Sequence, residues 1–286
     1  MPALYRAERI FTLTALLAIG LGMTLAISRG LLGRGLEEPA TLLWVLAFTL
    51  VLVAGAGALW LRHSAQAATS TSLPGSNLPV VPVPLEVIVP ATLVVGFVIF
   101  LQLFEDGIVQ AAVVGLAGLS FAGVFWAQVR GADTSDRYFG LAQSVLNIIS
   151  HLTAFLLFSA IYGLKVRALL SAPAVGIVTA LLIYEMLSRD AAWHQALSLP
   201  AEGRRTTLVL LSLSAGVVAS QVTWGLNYWA ALPTLVGGAF LLVVFYVMYG
   251  IASHYVDHTL TRQVVVEFSV VAALGLVVVF LSAFSQ

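Results

Sequence analysis

The chain of 286 residues contains no cysteine and very little charge. Without cysteine it can form no disulfide bond, thiolate metal site, iron–sulfur cluster or cysteine nucleophile. Only 9% of the residues are charged, against about 25% in soluble domains, and the formal net charge is zero. This balance indicates neither an acidic partner nor a nucleic acid, so no nucleic-acid binding is predicted.

The sequence also lacks the familiar motifs of membrane enzymes and pumps. It contains no Walker motif, no GxSxG, no HExxH and no paired aspartate-rich motif of a prenyl transferase. The sole lysine, Lys165, lies at the edge of an apolar segment, which argues against a retinal Schiff base. No segment carries the arginine ladder of a voltage sensor. These absences favour a non-enzymatic protein with no cofactor.

What the sequence does contain is long apolar runs: hydrophobic residues make up 60% of the chain, and its mean hydropathy is +1.02. A membrane-spanning helix needs about 17–25 largely apolar residues. The sequence therefore predicts an all-α polytopic transmembrane bundle of about nine helices in one integral membrane domain, residues 1–286. The sixth run contains Pro173 and Glu185, and without it the count would be eight. The runs are roughly 10–28, 41–61, 86–104, 108–128, 139–162, 168–188, 206–229, 232–253 and 264–284.

The basic residues predict the orientation in the membrane, because arginine and lysine concentrate in cytoplasmic loops. With a cytoplasmic N-terminus, nine of the 13 basic residues fall in inner segments and four in outer ones. We therefore expect a plasma-membrane protein with its N-terminus in the cytoplasm and, given nine helices, its C-terminus outside. Residues 62–84, rich in alanine, serine, threonine and proline, predict a flexible cytoplasmic linker between the second and third helices.

Polar residues form a stripe on one face of the fifth predicted helix. Gln143, Asn147 and Ser150 stand at i, i+4 and i+7, and Ser144, Asn147 and His151 at i, i+3 and i+7. An unpaired polar group is costly in hydrocarbon, so this face is expected to contact protein or a wet cavity. Gln221 and Asn227 on the seventh helix are candidate partners. With Gln143, Asn147 and His151 they predict a polar substrate site or a proton relay centred on His151, or, alternatively, a cluster of interhelical hydrogen bonds.

A second polar cluster follows the eighth predicted helix. His254 and His258 are four residues apart on one helical face, and Asp257 and Glu267 lie nearby in the sequence. Two histidines and a carboxylate resemble the three protein ligands of a catalytic zinc site. Residue 255 is tyrosine, so the glutamate of HExxH is missing, and the alternative is that these are ordinary residues of the membrane interface.

Glu185 is a carboxylate within the sixth apolar run. Like Glu86, it is expected to form a structural ion pair with Arg130, Arg137 or Arg189 near the same membrane surface, or else to act as a coupling carboxylate in transport.

Small residues form stripes on the fourth and seventh predicted helices. Such stripes allow the backbones of two membrane helices to approach closely. They predict packing inside the bundle or, alternatively, a dimerisation face. The residues are Ala111, Gly115, Gly118 and Ala122 on the fourth helix and Ser212, Gly216 and Ser220 on the seventh.

Aromatic residues and glycines recur in the last third of the chain, at Leu226–Trp229, Val236–Gly238, Phe245–Tyr246 and Glu267–Phe268. Over roughly residues 205–270 this pattern resembles an uncharacterised family of bacterial multi-pass membrane proteins. The resemblance implies a protein of the bacterial inner membrane and carries no activity with it.

Two classes of function remain open from the sequence. The first is a non-enzymatic membrane component or subunit, whose partners would be the lipid bilayer and other membrane proteins. The second is a small-solute transporter or permease with its polar site around His151. An enzyme acting on lipid, which would depend on the His254 cluster, is a third interpretation.

Overall fold

The computed structural model describes residues 2–28, 39–69, 85–132, 136–164, 168–194, 201–228 and 232–284. These residues form nine α-helices and no strand, so the predicted all-α fold is confirmed. A short 3-10 turn, Leu101–Leu103, continues the third helix. In chain order the helices are α1 (Pro2–Ser28), α2 (Pro39–Thr69), α3 (Leu85–Phe100), α4 (Gly107–Arg130), α5 (Phe139–Gly163), α6 (Ala168–His194), α7 (Ala201–Asn227), α8 (Thr234–Val256) and α9 (Arg262–Phe284).

Seven helices in the described part of the chain are long and apolar enough to cross a membrane, and α2 adds a shorter apolar stretch, Val45–Leu61. In hydrocarbon each backbone N–H and C=O group needs an internal partner, which a helix supplies from its own backbone. The protein is therefore membrane-embedded. The sixth run, on which the choice between eight and nine helices depended, is one helix despite Pro173. Of the predicted linker, residues 62–69 continue α2, and residues 70–84 lie outside the described part.

The chain divides into two compact units, Met1–Thr153 and Ala154–Gln286. The division falls inside α5. The first unit contains α1 to α4 and the start of α5. The second contains the rest of α5 and α6 to α9.

In the first unit, α1 to α4 pack as a bundle in which α2 contacts α1, α3 and α4. Its core is aromatic: the rings of Phe97 and Phe121 lie 6.2 Å apart, and Phe121 stacks on Phe125 at 6.5 Å. All three side chains are fully buried. Each such aromatic pair contributes about 0.5–1.5 kcal/mol beyond its buried area.

The small-residue stripe of α4 packs only in part within this unit. A Cβ atom at Gly118 would lie 3.7 Å from Ala18 of α1, which is ordinary contact. Ala111 and Gly115, however, are exposed, and a Cβ at Gly115 would meet nothing within 4 Å. Internal packing is therefore wrong as a prediction for this end of the stripe.

In the second unit the most extensive helix pairing is that of α6 with α7. Their backbones approach at two glycines: a Cβ at Gly216 would lie 2.6 Å from the carbonyl oxygen of Gly176, and a Cβ at Gly176 would lie 2.8 Å from that of Gly216. No side chain fits between them. The packing predicted for the stripe of the seventh helix is confirmed here, and glycine is required because membrane helices associate through such close contacts.

The remaining helices of the second unit pack around α8. The end of α5 places Tyr162 against Gly237, and the rings of Phe158 and Phe245 meet edge to face at 6.0 Å. On its other side α8 contacts α9, where Phe268 packs against Gly250. These contacts hold α8 in place beside α6.

Candidate functional site

The polar stripe of α5 lies in the first unit, and its side chains are half-buried at Gln143, Asn147 and His151. The Nδ1 atom of His151 lies 2.7 Å from the carbonyl oxygen of Asn147, one turn earlier. Because a carbonyl oxygen only accepts, Nδ1 carries the hydrogen in this bond. One ring nitrogen of the predicted relay is thus bonded to the backbone of its own helix.

The two candidate partners on the seventh helix lie in the second unit and differ from each other. Gln221 is exposed, whereas Asn227 is half-buried against α6. The Asn227 amide donates to the Ser171 hydroxyl at 3.0 Å and to the Thr223 carbonyl at 2.8 Å. The first of these bonds joins the end of α7 to the start of α6, and the second lies within α7. The five-residue site centred on His151 stays a prediction.

The predicted metal set lies at the junction of α8 and α9. His254 contacts the Thr259 hydroxyl through Nδ1 at 2.8 Å, Asp257 caps the end of α8, and His258 and Glu267 are exposed. Among the described residues, no three histidine, aspartate or glutamate side chains are grouped so that they could hold a metal ion. The structure thus does not bring these four residues together as a ligand set.

A cluster of charged residues lies instead where α6 meets α8, and we call it the ion cluster: Glu185, Arg189 and Asp190 of α6 with Tyr249 of α8. Oε1 of Glu185 lies 2.9 Å from Nε of Arg189, so the predicted ion pair forms with this one of the three candidate arginines. The Tyr249 hydroxyl donates to Oδ2 of Asp190 at 2.7 Å. All four residues fall within the membrane-spanning segments Ala168–Asp190 and Thr234–Val256.

The spacing along α6 explains the contact between Glu185 and Arg189. These residues are at positions i and i+4 of the helix, and glutamate N-terminal to the basic residue is the favourable order. Glu185 lies on the packed face of the helix, next to the buried side chains of Leu182 and Met186. Both the Glu185 carboxylate and the Arg189 guanidinium therefore lie on the side of α6 that packs inside the unit.

Burial sets this ion pair apart from an ordinary one. The side chains of Glu185 and Arg189 are 5% and 13% exposed, whereas in the first unit the Arg130–Asp136 pair, at 2.8 Å, is 44% and 18% exposed. Oε2 of Glu185 is buried and accepts no hydrogen bond from any residue that the structure describes. Ionisable residues inside a membrane are costly and usually mark a functional path.

In the first unit the amide N–H groups of two α4 glutamines, buried Gln110 and half-buried Gln128, donate to backbone carbonyls. Pro90 has no N–H group, so the carbonyl of Glu86, four residues earlier, loses its helical donor. The Gln128 amide of α4 donates to that carbonyl at 2.9 Å. Gln110 similarly donates to the carbonyl of Phe104 at 2.6 Å, beyond the end of α3. These glutamines complete the hydrogen bonding of irregular backbone.

A comparison with known protein families identifies the family of this chain. The family model for DUF5656, described as a protein of unknown function, matches residues 22–282. The chain belongs to DUF5656. The predicted membership of an uncharacterised family is confirmed, and the match extends well beyond residues 205–270. No curated protein and no solved structure matches this member of the family.

Asp190 and Tyr249 are the two members of the ion cluster that sequence reasoning missed. Asp190 follows Arg189 directly. Three ionisable residues within six positions, at the end of an apolar run, are a signal from which a charged cluster that includes Asp190 could have been predicted. Tyr249 gave no such signal, because it is one of eight tyrosines and stands 59 residues from its partner.

Proposed function

We propose that this protein is a proton-coupled permease for a small polar solute, and that the ion cluster is its coupling site. The observation that supports the proposal is the buried Glu185–Arg189 pair inside a membrane-spanning helix, next to the Asp190–Tyr249 contact. The glutamines of the first unit donate to backbone carbonyls that have lost their helical donors. The two contacts of the ion cluster join side chains only and satisfy no such carbonyl. Intramembrane charges retained without such a role are typical of ion and proton paths.

The location of the cluster fits this role. In the predicted orientation, α6 and α8 both end at the cytoplasmic surface, and Glu185 lies about two turns before the last residue of α6. A group at this depth can exchange a proton with cytoplasmic water over a short distance. The polar stripe of Gln143, Asn147 and His151 remains the predicted contact for the solute.

The test is solute-driven proton movement in proteoliposomes that contain a pH-sensitive dye. We would add pools of amino acids, hexoses and small carboxylic acids to the outside and record the internal pH. The wild-type protein is expected to move protons with one pool, and Glu185→Gln is expected to abolish that response. Glu267→Gln, an exposed glutamate of α9, is the matched control and should respond like the wild type.

Two further results bear on the proposal. His151→Leu should lose the response without losing stability if the α5 stripe contacts the solute, and should keep it if the stripe only packs. Wild-type proteoliposomes that behave like protein-free liposomes with every pool would contradict the permease.

The second candidate function is a membrane subunit, and the exposed end of the α4 stripe favours it. At Gly115 the surface has open space where another helix could approach closely. Native mass spectrometry after gentle extraction should then reveal a stoichiometric protein partner that Gly115→Leu releases. Gly225→Leu, at a glycine of α7 that is equally open, serves as the control. A wild-type protein that carries no partner would contradict this function.

A further inference from the structure

The ion cluster brings two carboxyl groups to one guanidinium. The carboxyl groups belong to Glu185 and Asp190, the guanidinium belongs to Arg189, and Tyr249 adds a phenol. With both carboxyl groups ionised, these four side chains hold two negative charges and one positive charge. One added proton would neutralise one of the two carboxylates.

The titratable groups near Glu185 come from α6 and α8. On α6 they are Arg189 and Asp190, and α8 contributes Tyr249. On α7, which also packs against α6, the described side chain of Arg205 is exposed, as is Tyr228 just beyond the end of that helix. Among the side chains that the structure describes on these helices, Arg189 is the positive charge that faces Glu185.

The hydrogen bonds distinguish the two carboxyl groups. Oδ2 of Asp190 accepts a hydrogen bond from the Tyr249 hydroxyl at 2.7 Å, and a donor to a carboxylate stabilises its ionised form. Glu185 contacts Arg189 through Oε1, while its Oε2 is buried and accepts no hydrogen bond from any described residue. A buried carboxylate oxygen without a donor is the one that gains most from binding a proton.

We infer that Glu185 binds the single exchangeable proton of the ion cluster at Oε2, while Asp190 stays ionised. In this step an O–H bond forms between Oε2 and a proton taken from water, and the negative charge of Glu185 is neutralised. Arg189 then has Asp190 as its counter-charge. On release the O–H bond breaks, the proton returns to water, and Glu185 pairs with Arg189 again.

That this proton drives solute transport rests on the proposed function; that Glu185 binds it does not. The proton is assigned to one oxygen atom, Oε2 of Glu185, and Asp190 is excluded as its carrier. Tyr249 then has the role of a positioning residue, which holds Asp190 in its ionised form.

The test is infrared spectroscopy of the protein in lipid nanodiscs during a pH titration. A protonated carboxyl group has a C=O stretching band separate from those of a carboxylate. While the pH stays above about 6, exposed carboxyl groups remain ionised and give no such band. Within that range the wild type is expected to gain the band reversibly as the pH falls, and Glu185→Gln is expected to lose it. Asp190→Asn and Glu267→Gln should both keep it. A band that survives Glu185→Gln, or a wild type without one, would overturn the assignment.

A second measurement needs no variant and guards against a misfolded Glu185→Gln protein. Wild-type protein is prepared with ¹³C in the side-chain carboxyl of either glutamate or aspartate. The glutamate label should shift the band and the aspartate label should leave it in place; the opposite result assigns the proton to an aspartate. If sodium ions at constant pH remove the band, the site binds a cation in competition, and the assignment to a proton alone is wrong.

The two proposals fail in different ways. A Glu185-dependent band without solute-driven proton movement would leave the proton site standing and remove the permease. Proton movement that persists in folded Glu185→Gln would keep the permease and refute the proton site.

Discussion

In the first unit the amide groups of buried Gln110 and half-buried Gln128 donate to backbone carbonyls, whereas in the second unit the charged side chains of α6 contact each other and Tyr249. Both arrangements keep polar groups out of contact with lipid. The glutamines of the first unit donate to carbonyls whose helical hydrogen bonds are lost at a proline or at a helix end. The two contacts of the ion cluster in the second unit join side chains and satisfy no such carbonyl. The comparison teaches that a polar group in a membrane helix suggests function mainly when no neighbouring backbone group accounts for it.

The largest expected effect comes from breaking the buried ion pair. Arg189→Met should lower the free energy of unfolding by about 3 kcal/mol, the low end for a broken buried pair, because Glu185 can take up a proton. Arg130→Met, which breaks the exposed pair of the first unit, should cost less than about 1 kcal/mol. Unfolding in mixed detergent micelles measures both.

The double variant Glu185→Gln/Arg189→Met should recover most of the lost stability, because it leaves no buried charge unpaired. Equal losses for Arg189→Met and Arg130→Met would remove the energetic difference between the two units.

The next effect concerns the glycine contact of the second unit. Gly216→Ala would place a Cβ against the Gly176 carbonyl and should cost about 2 kcal/mol, within the usual range for overpacking. Gly225→Ala on the same helix and Gly115→Ala in the first unit meet open space, and each should be neutral or stabilise by about 0.5–1 kcal/mol. Thermal unfolding of the three variants checks this. A Gly216→Ala protein as stable as its controls would show that α6 and α7 can separate without loss.

A smaller change in the free energy of unfolding tests whether Gln128 stabilises the protein through its hydrogen bond to the Glu86 carbonyl. Gln128→Leu leaves the Glu86 carbonyl without this donor and should cost about 1.5 kcal/mol. In a Pro90→Ala background the new N–H group can bond to the same carbonyl, so the same substitution should cost much less. A double-mutant cycle of unfolding free energies measures the difference. Purely additive costs would mean that Gln128 acts in some other way.

The smallest effect is the pH dependence of the exposed pair. The backbone N–H of Tyr138 and then the side chain of Arg130 donate to Asp136 and hold the pKa of its carboxyl below the ordinary value of 3.8. The unfolded chain therefore binds this proton more readily. The stabilisation is complete above the unfolded pKa and is lost as the pH falls through the folded one.

Asp136→Asn should remove this part of the pH dependence, worth less than about 1 kcal/mol, when stability is compared between neutral and acidic pH. An unchanged acid limb in the variant would show that Asp136 does not contribute to it.

The sequence by itself determined where the helices lie. Nine predicted runs correspond to nine helices in the described residues, and α5 was placed within one residue at each end. The physical reason is that lipid requires about 20 apolar residues for each span and allows the backbone to satisfy itself only within a helix. The sequence also predicted that Glu185 pairs with an arginine near the same membrane surface, and it left Arg130, Arg137 and Arg189 open; in the structure the partner is Arg189.

Only the tertiary structure decided which groups from different helices meet. Tyr249 reaches Asp190 because α8 packs beside α6, and no spacing along the chain records that contact. The same holds for the glycines: Gly216 and Gly115 belong to similar stripes, yet one faces a neighbouring backbone and the other faces open space. Periodicity defines the face of a helix but not what lies opposite it, because that depends on how the helices pack.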